Sequence, residues 1–218
     1  FLPTDFGRVS DAMMESATDN SVYTWENNSI YYITNGIWSP LKRVDDGWGF
    51  WNGVRSANLF LENFDPKVLE RFQYNEDYDE MIDKASKFSL EVRFLRAFYL
   101  FELAKRYGDI PLITRTYTQE EINSVRKTSF ADVIDFIAKE CTEITREGGL
   151  PEDGVRGETG RVTKGAALAL KSRALLYAAS DLHNPAHDLT KWEAAAKAAY
   201  EVIKMNKYQL PNVSTDPL

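Results

Sequence analysis

The fold is decided by residues 90–107, which read LEVRFLRAFYLFELAKRY. In an α-helix the apolar side chains of this segment would cover most of the circumference, and a helix apolar nearly all round is packed on several sides. These side chains are Phe94, Leu95, Phe98, Tyr99, Phe101, Leu103 and Ala104. Gly108 suits a left-handed position after the helix and Pro111 cannot continue it, so we expect the helix to end near Tyr107.

Five further segments show helical spacing. The clearest is residues 130–144, where apolar residues recur three and four positions apart, Ser129 begins the helix and Gly148 ends it. Cys141 lies on this apolar stripe, so we interpret it as a small buried hydrophobe. The other segments are 4–16, 50–64, 162–181 and a helix opening with the capping box Thr190–Glu193.

Small residues recur along segment 162–181, where they would let neighbouring helix backbones approach closely. They are Ala166, Ala167, Ala169, Ala174, Ala178 and Ala179. Paired helices with small residues at their crossings are typical of tetratricopeptide-type repeats. The sequence therefore predicts an all-α fold of tetratricopeptide-like helical hairpins with one long aromatic loop.

That loop is residues 19–49, the least regular part of the chain. It contains Trp25, Trp38, Trp48, Tyr23, Tyr31 and Tyr32, together with three glycines. A compact domain rarely keeps so long a loop without a function.

Composition excludes several classes of protein. A net charge of −7 argues against nucleic-acid binding, which needs a basic surface. With a single cysteine, the chain can form neither an internal disulfide nor a cysteine-based metal site. His183 and His187 are separated by Pro185, which breaks a helical ligand pair. We therefore predict no metal and no cofactor.

Catalysis is the minority interpretation. The chain has no Gly-x-Ser-x-Gly elbow and no Walker-type phosphate loop. Carboxylate pairs can be drawn almost anywhere among 33 acidic residues, so they do not identify a glycosidase. We predict that the protein is not an enzyme and assign no catalytic residue.

Two strings resemble a known family. Residues 91–99 read EVRFLRAFY and continue to RYGDIPLI at 106–113, and residues 160–178 read GRVTKGAALALKSRALLYA. These closely resemble the signature segments of SusD/RagB proteins of Bacteroidetes. Supporting matches are Thr18-Asp19-Asn20, Trp51 with the segment 58–62 after it, and residues 191–195.

The resemblance implies a surface-exposed lipoprotein of the outer membrane, without catalytic activity. Such proteins bind oligosaccharides or other nutrients and pass them to a SusC-like TonB-dependent transporter. Family members are longer than this chain and carry a signal peptide and an acylated cysteine. We therefore interpret residues 1–218 as an N-terminal SusD-like helical region, a fragment whose lipid anchor lies outside it.

Sugar capture needs flat aromatic faces to stack on pyranose rings and polar groups to bond their hydroxyls, and the aromatic loop supplies both. The predicted glycan-binding residues are Asp19, Asn20, Trp38, Arg43, Trp48 and Trp51. Asp45, Asp46 and Asn52 lie nearby. The alternative is that these tryptophans pack the loop onto the helices, because tryptophan is generally well buried.

Other charged residues are expected to be structural. Arg93 and Arg96, on a helix packed from several sides, should bond carbonyls or carboxylates of neighbouring helices. Arg161 and Lys164 are interpreted in the same way. The acidic run at Asp77, Asp79, Glu80 and Asp83 lacks the spacing of a calcium loop and is expected to be solvated surface.

A second functional hypothesis stays open beside glycan binding. A helical-repeat scaffold can bind the transporter or another protein along its concave face, with a non-carbohydrate nutrient as ligand. Titration with oligosaccharides would discriminate the two.

Overall fold

The computed structural model describes residues 8–9, 12–39, 41–42, 44, 47–153 and 160–209. The chain divides into two compact units, Phe1–Gly49 and Phe50–Leu218. They are called the first and the second unit below.

The first unit contains short elements around a small apolar cluster. Strands β1 (Arg8–Val9) and β2 (Ala12–Met13) pair antiparallel, a 3-10 helix spans Met14–Ala17, and helix α1 spans Tyr31–Thr34. The buried Ala12 and Ile30 form the cluster, against which five partly buried residues pack. These are Ala17, Tyr23, Tyr31, Ile33 and Val44.

The predicted helix over residues 4–16 is therefore wrong at residues 8–9 and 12–13, while residues 14–16 belong to the 3-10 helix Met14–Ala17. Residues 8–9 and 12–13 pair as strands, while residues 4–7, 10 and 11 lie outside the described residues. Three apolar residues, Phe6, Val9 and Met13, suggested a helix, but so few cannot outweigh a tertiary contact. Ala12 is instead buried in one cluster with Ile30.

The second unit is helical. Its α-helices are α2 (Phe50–Asn63), α3 (Tyr78–Tyr107), α4 (Gln119–Ile122), α5 (Phe130–Ile144), α6 (Lys164–Ala179) and α7 (Leu189–Lys204). A 3-10 helix spans Pro66–Phe72. The predicted helices at 50–64, 130–144 and 162–181 are confirmed to within two residues.

Two helix starts differ from the expectation. Helix α3 has 30 residues and begins at Tyr78. The acidic residues from Asp79 to Asp83 therefore lie in its first turns. Glu80 is exposed there and its carboxylate lies 2.7 Å from the Lys84 ammonium group. Helix α7 begins before Thr190 because the Asp188 carboxylate accepts a hydrogen bond of 2.9 Å from the Thr190 N–H. Acidic groups stabilise a helix start through the helix dipole.

The helices of the second unit pack successively: α2 against α3, α3 against α5, α5 against α6 and α6 against α7. Leu100, Phe101 and Leu103 of α3 are buried in the main core. They share it with Val133, Ile134, Ile137 and Cys141 of α5 and with Leu170 and Ala174 of α6. Burial raises the pKa of the Cys141 thiol to about 12, so the cysteine is a buried hydrophobe as predicted.

Small residues allow α6 to sit close to its neighbours, and Ala174 is fully buried in the core. We expect Ala174→Leu to lower the free energy of unfolding by about 1–3 kcal/mol, because overpacking forces side chains and backbone to shift. Chemical denaturation would measure the change. Ala169→Leu, at an exposed position of the same helix, is the control and should stay within about 0.5 kcal/mol of wild type. Equal effects of the two substitutions would contradict the close packing of α6 at Ala174.

Candidate ligand-binding site

Asp19 and Asn20 follow the first 3-10 helix at the protein surface. The Thr18 hydroxyl donates to the Glu15 carbonyl at 2.7 Å, and the Asn20 Nδ2 donates to Glu15 Oε1 at 2.6 Å. The Asn20 backbone N–H also donates to the Thr18 hydroxyl at 3.2 Å. The Asn20 side chain is thus held in place by a polar cluster, with Asp19 exposed beside it.

Trp38 is presented by a turn that follows α1. The N–H groups of Ile37 and Trp38 both donate to the Tyr32 carbonyl, at 3.0 and 2.8 Å. Gly36 makes the turn possible with a φ of +66°, a conformation that favours glycine. The Trp38 side chain remains 52% exposed, so its ring is available at the surface.

Two more tryptophans of the first unit are exposed. Trp48 is 60% exposed, directly after Gly47, whose φ is +58°. Trp25 meets Tyr23 edge-to-face, with ring centroids 6.1 Å apart, and the Tyr31 hydroxyl donates to the Tyr23 carbonyl. The long loop therefore carries several indole rings in contact with solvent.

The remaining predicted residues differ from these. Trp51 lies in the first turn of α2, in the second unit, and its half-buried side chain packs against the main core. Arg43, like Asp45 and Asp46, lies outside the described residues. The first unit thus carries Asp19, Asn20, Trp38 and Trp48. Ligand contact by all six residues stays a prediction.

The sequence of this chain matches a known protein family. A family model described as starch-binding associating with outer membrane, SusD-like, matches residues 6–176. The chain belongs to the SusD-like family. This confirms the resemblance carried by the two signature strings.

Solved structures of SusD-like proteins share the fold. A SusD-like carbohydrate-binding protein from Bacteroides fragilis is 26% identical with a TM-score of 0.67, over 90% of this chain and 34% of that one. A laminarin-binding SusD-like protein is 27% identical with a TM-score of 0.60, over 80% of this chain and 33% of that one. A second SusD-like protein from Bacteroides fragilis is 31% identical with a TM-score of 0.57, over 76% and 28%.

These comparisons confirm the predicted all-α SusD-like fold. The SusD-like chain spans only 28% to 34% of the length of these three proteins. A comparison with curated protein sequences found no significant match.

The first signature string of this SusD-like chain builds a buried ion network. Arg93 bonds both carboxylate oxygens of Glu140 at 2.6 and 3.1 Å, and Arg96 Nη2 lies 3.0 Å from Glu140 Oε2. Arg96 Nη1 also donates to Asn58 Oδ1 at 2.9 Å and to the Thr114 carbonyl at 3.0 Å. The predicted structural role of both arginines is confirmed, because they tie α3 to α2, to α5 and to the segment after Pro111.

Glu140 and Asn58 are the residues that sequence reasoning missed. Burial alone would raise the pKa of the Glu140 carboxyl, but hydrogen bonds from Arg93 and Arg96 outweigh it and hold that pKa below its ordinary value. The Asn58 Nδ2 donates to the carbonyls of Ile113 and Arg115 at 3.1 and 3.0 Å. The sequence did contain a signal for Asn58, because it is a polar residue among the apolar positions of α2, and a buried polar side chain needs hydrogen-bond partners.

The second signature string is also structural. Arg161 Nε donates to Glu91 Oε1 at 2.9 Å, and its Nη2 donates to the other carboxylate oxygen. The guanidinium carbon lies 5.1 Å from the centroid of the Phe88 ring. Lys164 pairs with Glu152 at 3.0 Å. These contacts join the start of α6 to α3 and to the loop before it.

The histidines have other contacts. His183 stacks on Phe130 with ring centroids 3.6 Å apart, and burial, followed by the charge of Lys191, lowers its pKa. The exposed His187 lies 3.6 Å from Asp181.

Within the described ranges, no group of three or more His, Cys, Asp or Glu side chains could hold a metal ion. Among the same residues, no helix has the length and apolar character needed to cross a membrane.

One open polar cavity of about 620 Å³ lies between the loop before α6 and the segment after α7. Its charged side chains are paired with each other or with a neighbour. Lys207 lies 2.6 Å from Asp153, and Lys164 lies 3.0 Å from Glu152. We assign no ligand to this cavity because its charges are already balanced.

Proposed function

We propose that the protein captures oligosaccharides at the outer surface of the outer membrane and delivers them to a SusC-like TonB-dependent transporter. The family description, starch-binding and outer-membrane associated, supports this proposal. Two of the similar structures are described as carbohydrate-binding and laminarin-binding proteins. The protein acts by binding rather than by catalysis, and a lipid anchor outside this chain attaches it to the membrane.

The observation that carries the glycan assignment is the set of exposed indole rings in the first unit. An aromatic ring offers a large, rigid apolar face, which suits the flat C–H face of a pyranose. Trp38 and Trp48 are each more than half exposed, on a surface segment shaped by backbone hydrogen bonds and glycine turns. Both rings therefore keep a large part of their surface open to a ligand.

Polar groups would supply the remaining contacts. Asn20 and Asp19 offer amide and carboxylate groups that can bond sugar hydroxyls, and Asn20 is already oriented by Glu15. Preorganised groups lose less conformational entropy on binding. Arg43 and Trp51 belong to the proposed set on the sequence pattern.

The test is the affinity of the full gene product for starch-derived and laminarin-derived oligosaccharides, measured by isothermal titration calorimetry. We expect Trp38→Ala and Trp48→Ala each to weaken binding roughly 10-fold or more, which corresponds to about 1.4 kcal/mol per stacked ring. Trp25→Ala is the matched control, since Trp25 is an exposed tryptophan of the same unit outside the proposed set.

Two results would count against the proposal. Unchanged affinity in both variants, with glycan still bound, would move the site away from the first unit. No binding across a broad glycan panel would remove carbohydrate as the ligand. It would leave the alternative of a transporter-contacting scaffold with a non-carbohydrate nutrient.

A further inference from the structure

The dipeptide Asn-Gly occurs twice in the chain, at Asn35-Gly36 and at Asn52-Gly53. Asparagine side chains are thermolabile groups in proteins. They are most easily lost before glycine, because a residue without a Cβ leaves the backbone free to rotate and does not obstruct the asparagine amide. Both asparagines are exposed, so access of solvent does not distinguish them. The surrounding structure does.

The reaction at such a site is deamidation, which consumes only water. The backbone nitrogen of the glycine loses its proton and bonds to the asparagine Cγ, while the Cγ–Nδ2 bond breaks and ammonia leaves with that proton. Water then opens the five-membered imide at one of its two carbonyls. Opening at the side-chain carbonyl gives aspartate. Opening at the backbone carbonyl gives isoaspartate, whose main chain runs through Cβ and Cγ and is longer by one methylene group.

Asn35 directly follows α1, a helix of only four residues. Its ψ is 2°, and the Gly36 N–H donates to the Ile33 carbonyl at 3.1 Å. Ring closure requires rotation of this ψ and breaks that hydrogen bond. The space around Gly36 is open, with no atom within 4 Å of the place where a Cβ would stand. Because so short a helix has little stability of its own and helix ends fray easily, this opening costs little free energy.

Asn52 lies in the first turn of α2, a helix of 14 residues. A Cβ added at Gly53 would lie only 2.6 Å from the Tyr99 ring, so the backbone of α2 is pressed against α3 at this position. Val54 and Ala57 of α2 are buried beyond it. Rotation of the Asn52 backbone would therefore break the helix start and separate Gly53 from the Tyr99 ring, which makes the same reaction much more costly here.

We propose that Asn35 is a site of spontaneous deamidation in the folded protein, that α2 protects Asn52, and that isoaspartate at the first site dismantles the turn presenting Trp38. In this turn the N–H groups of Ile37 and Trp38 donate to the Tyr32 carbonyl at 3.0 and 2.8 Å. An additional methylene group between α1 and these two donors shifts them out of register with their acceptor. The proposal goes beyond glycan capture because it gives this turn a chemical lifetime, whatever ligand the turn serves.

Peptide mapping tests the proposed site. The purified full gene product is kept at mildly alkaline pH and physiological temperature, and samples taken over time are digested and analysed by mass spectrometry. Electron-transfer fragmentation distinguishes isoaspartate from aspartate. Each native rate is divided by the rate of the same asparagine in urea, which removes the influence of neighbouring residues on the chemistry. We expect the normalised rate at Asn35 to exceed that at Asn52 roughly 10-fold or more, a difference of about 1.4 kcal/mol in opening free energy.

Two results of this mapping would overturn the proposal. Equal normalised rates at the two asparagines, or a faster rate at Asn52, would mean that the fold does not select the site. Absence of conversion at Asn35 in the folded protein would mean that the turn after α1 does not open. Neither result depends on glycan binding, so the proposed function stands or falls separately.

Hydrogen exchange tests the consequence for the turn. Asn35→Asp is the matched control, because it carries the same charge as the product but keeps the normal backbone. We expect the amides of Ile37 and Trp38 to exchange slowly in the fresh protein and in Asn35→Asp. They should exchange quickly in the isoaspartate form, whose peptide elutes separately from the aspartate peptide of the same aged sample. Equal exchange in all three forms would overturn the proposed loss of the turn, and fast exchange in Asn35→Asp would assign the loss to charge instead of backbone length.

Discussion

Glu140→Ala is expected to lower the free energy of unfolding by about 3–5 kcal/mol, because it leaves buried guanidinium groups without their carboxylate partner. The side chains of Glu140 and Arg96 are each only 10% exposed, so water cannot replace the lost contacts. Arg96 Nε already lacks a hydrogen-bond partner, so the loss of Glu140 would leave a second part of the buried guanidinium group without one. Urea denaturation followed by far-UV circular dichroism would measure the change.

Glu143→Ala is the matched control for this substitution. Glu143 lies one turn further along α5 and pairs with Arg93 at 2.5 Å, but its side chain is 28% exposed. Arg93 would keep both bonds to Glu140, so we expect a loss of about 1 kcal/mol or less. If the two variants lost the same stability, the network would not be centred on Glu140.

The same network makes stability depend on pH. The pKa of Glu140 is lower in the folded than in the unfolded chain, so its contribution is fully present above the unfolded pKa. It is lost as the pH falls towards and through the folded pKa. The stability difference between wild type and Glu140→Ala should therefore shrink as the pH falls below 4.5, the ordinary pKa of a glutamate. A difference that grows on acidification would contradict the direction of the shift.

Phe101→Ala is the second substitution with a large expected effect, about 3–5 kcal/mol, because a buried aromatic ring is replaced by a cavity. Phe101 is 1% exposed and meets Tyr177 of α6 edge-to-face, with ring centroids 5.2 Å apart. The loss therefore combines burial in the core with a specific contact between α3 and α6. Guanidinium denaturation would quantify it.

Leu59→Ala serves as its control. Leu59 is apolar and helical but exposed, on the outer side of α2, and we expect a change within about 0.5 kcal/mol. A similarly small change for Phe101→Ala would show that the core tolerates the cavity, against the central position assigned to α3.

Helix α5 shows which parts of the fold could be predicted. Its bounds, 130–144, match the prediction because two local signals coincide there. Ser129 accepts a hydrogen bond from the Asp132 N–H at 3.1 Å, and the apolar residues keep one helical spacing. Helix α3 could be predicted only in its apolar part. Its first turns are mostly polar, although Ala85 is buried there.

The candidate site shows which features could not be predicted from the sequence. Trp48 and Trp51 are three residues apart and chemically identical, and the sequence pattern treats them alike. The structure leaves Trp48 60% exposed and packs Trp51 against the main core. Asn58 could have been suspected as a polar residue on an apolar stripe, but its three hydrogen-bond partners lie 38 to 57 residues away along the chain.

The sequence alone determined the helical class, most helix positions and the family of this protein, because periodicity, caps and signature strings are local properties of the chain. Tertiary structure alone decided that the signature arginines hold helices together, that residues 8–9 and 12–13 form strands, and which tryptophans face solvent. Each of these depends on groups brought together from distant positions. Burial and pairing are properties of the packed chain, and no single segment encodes them.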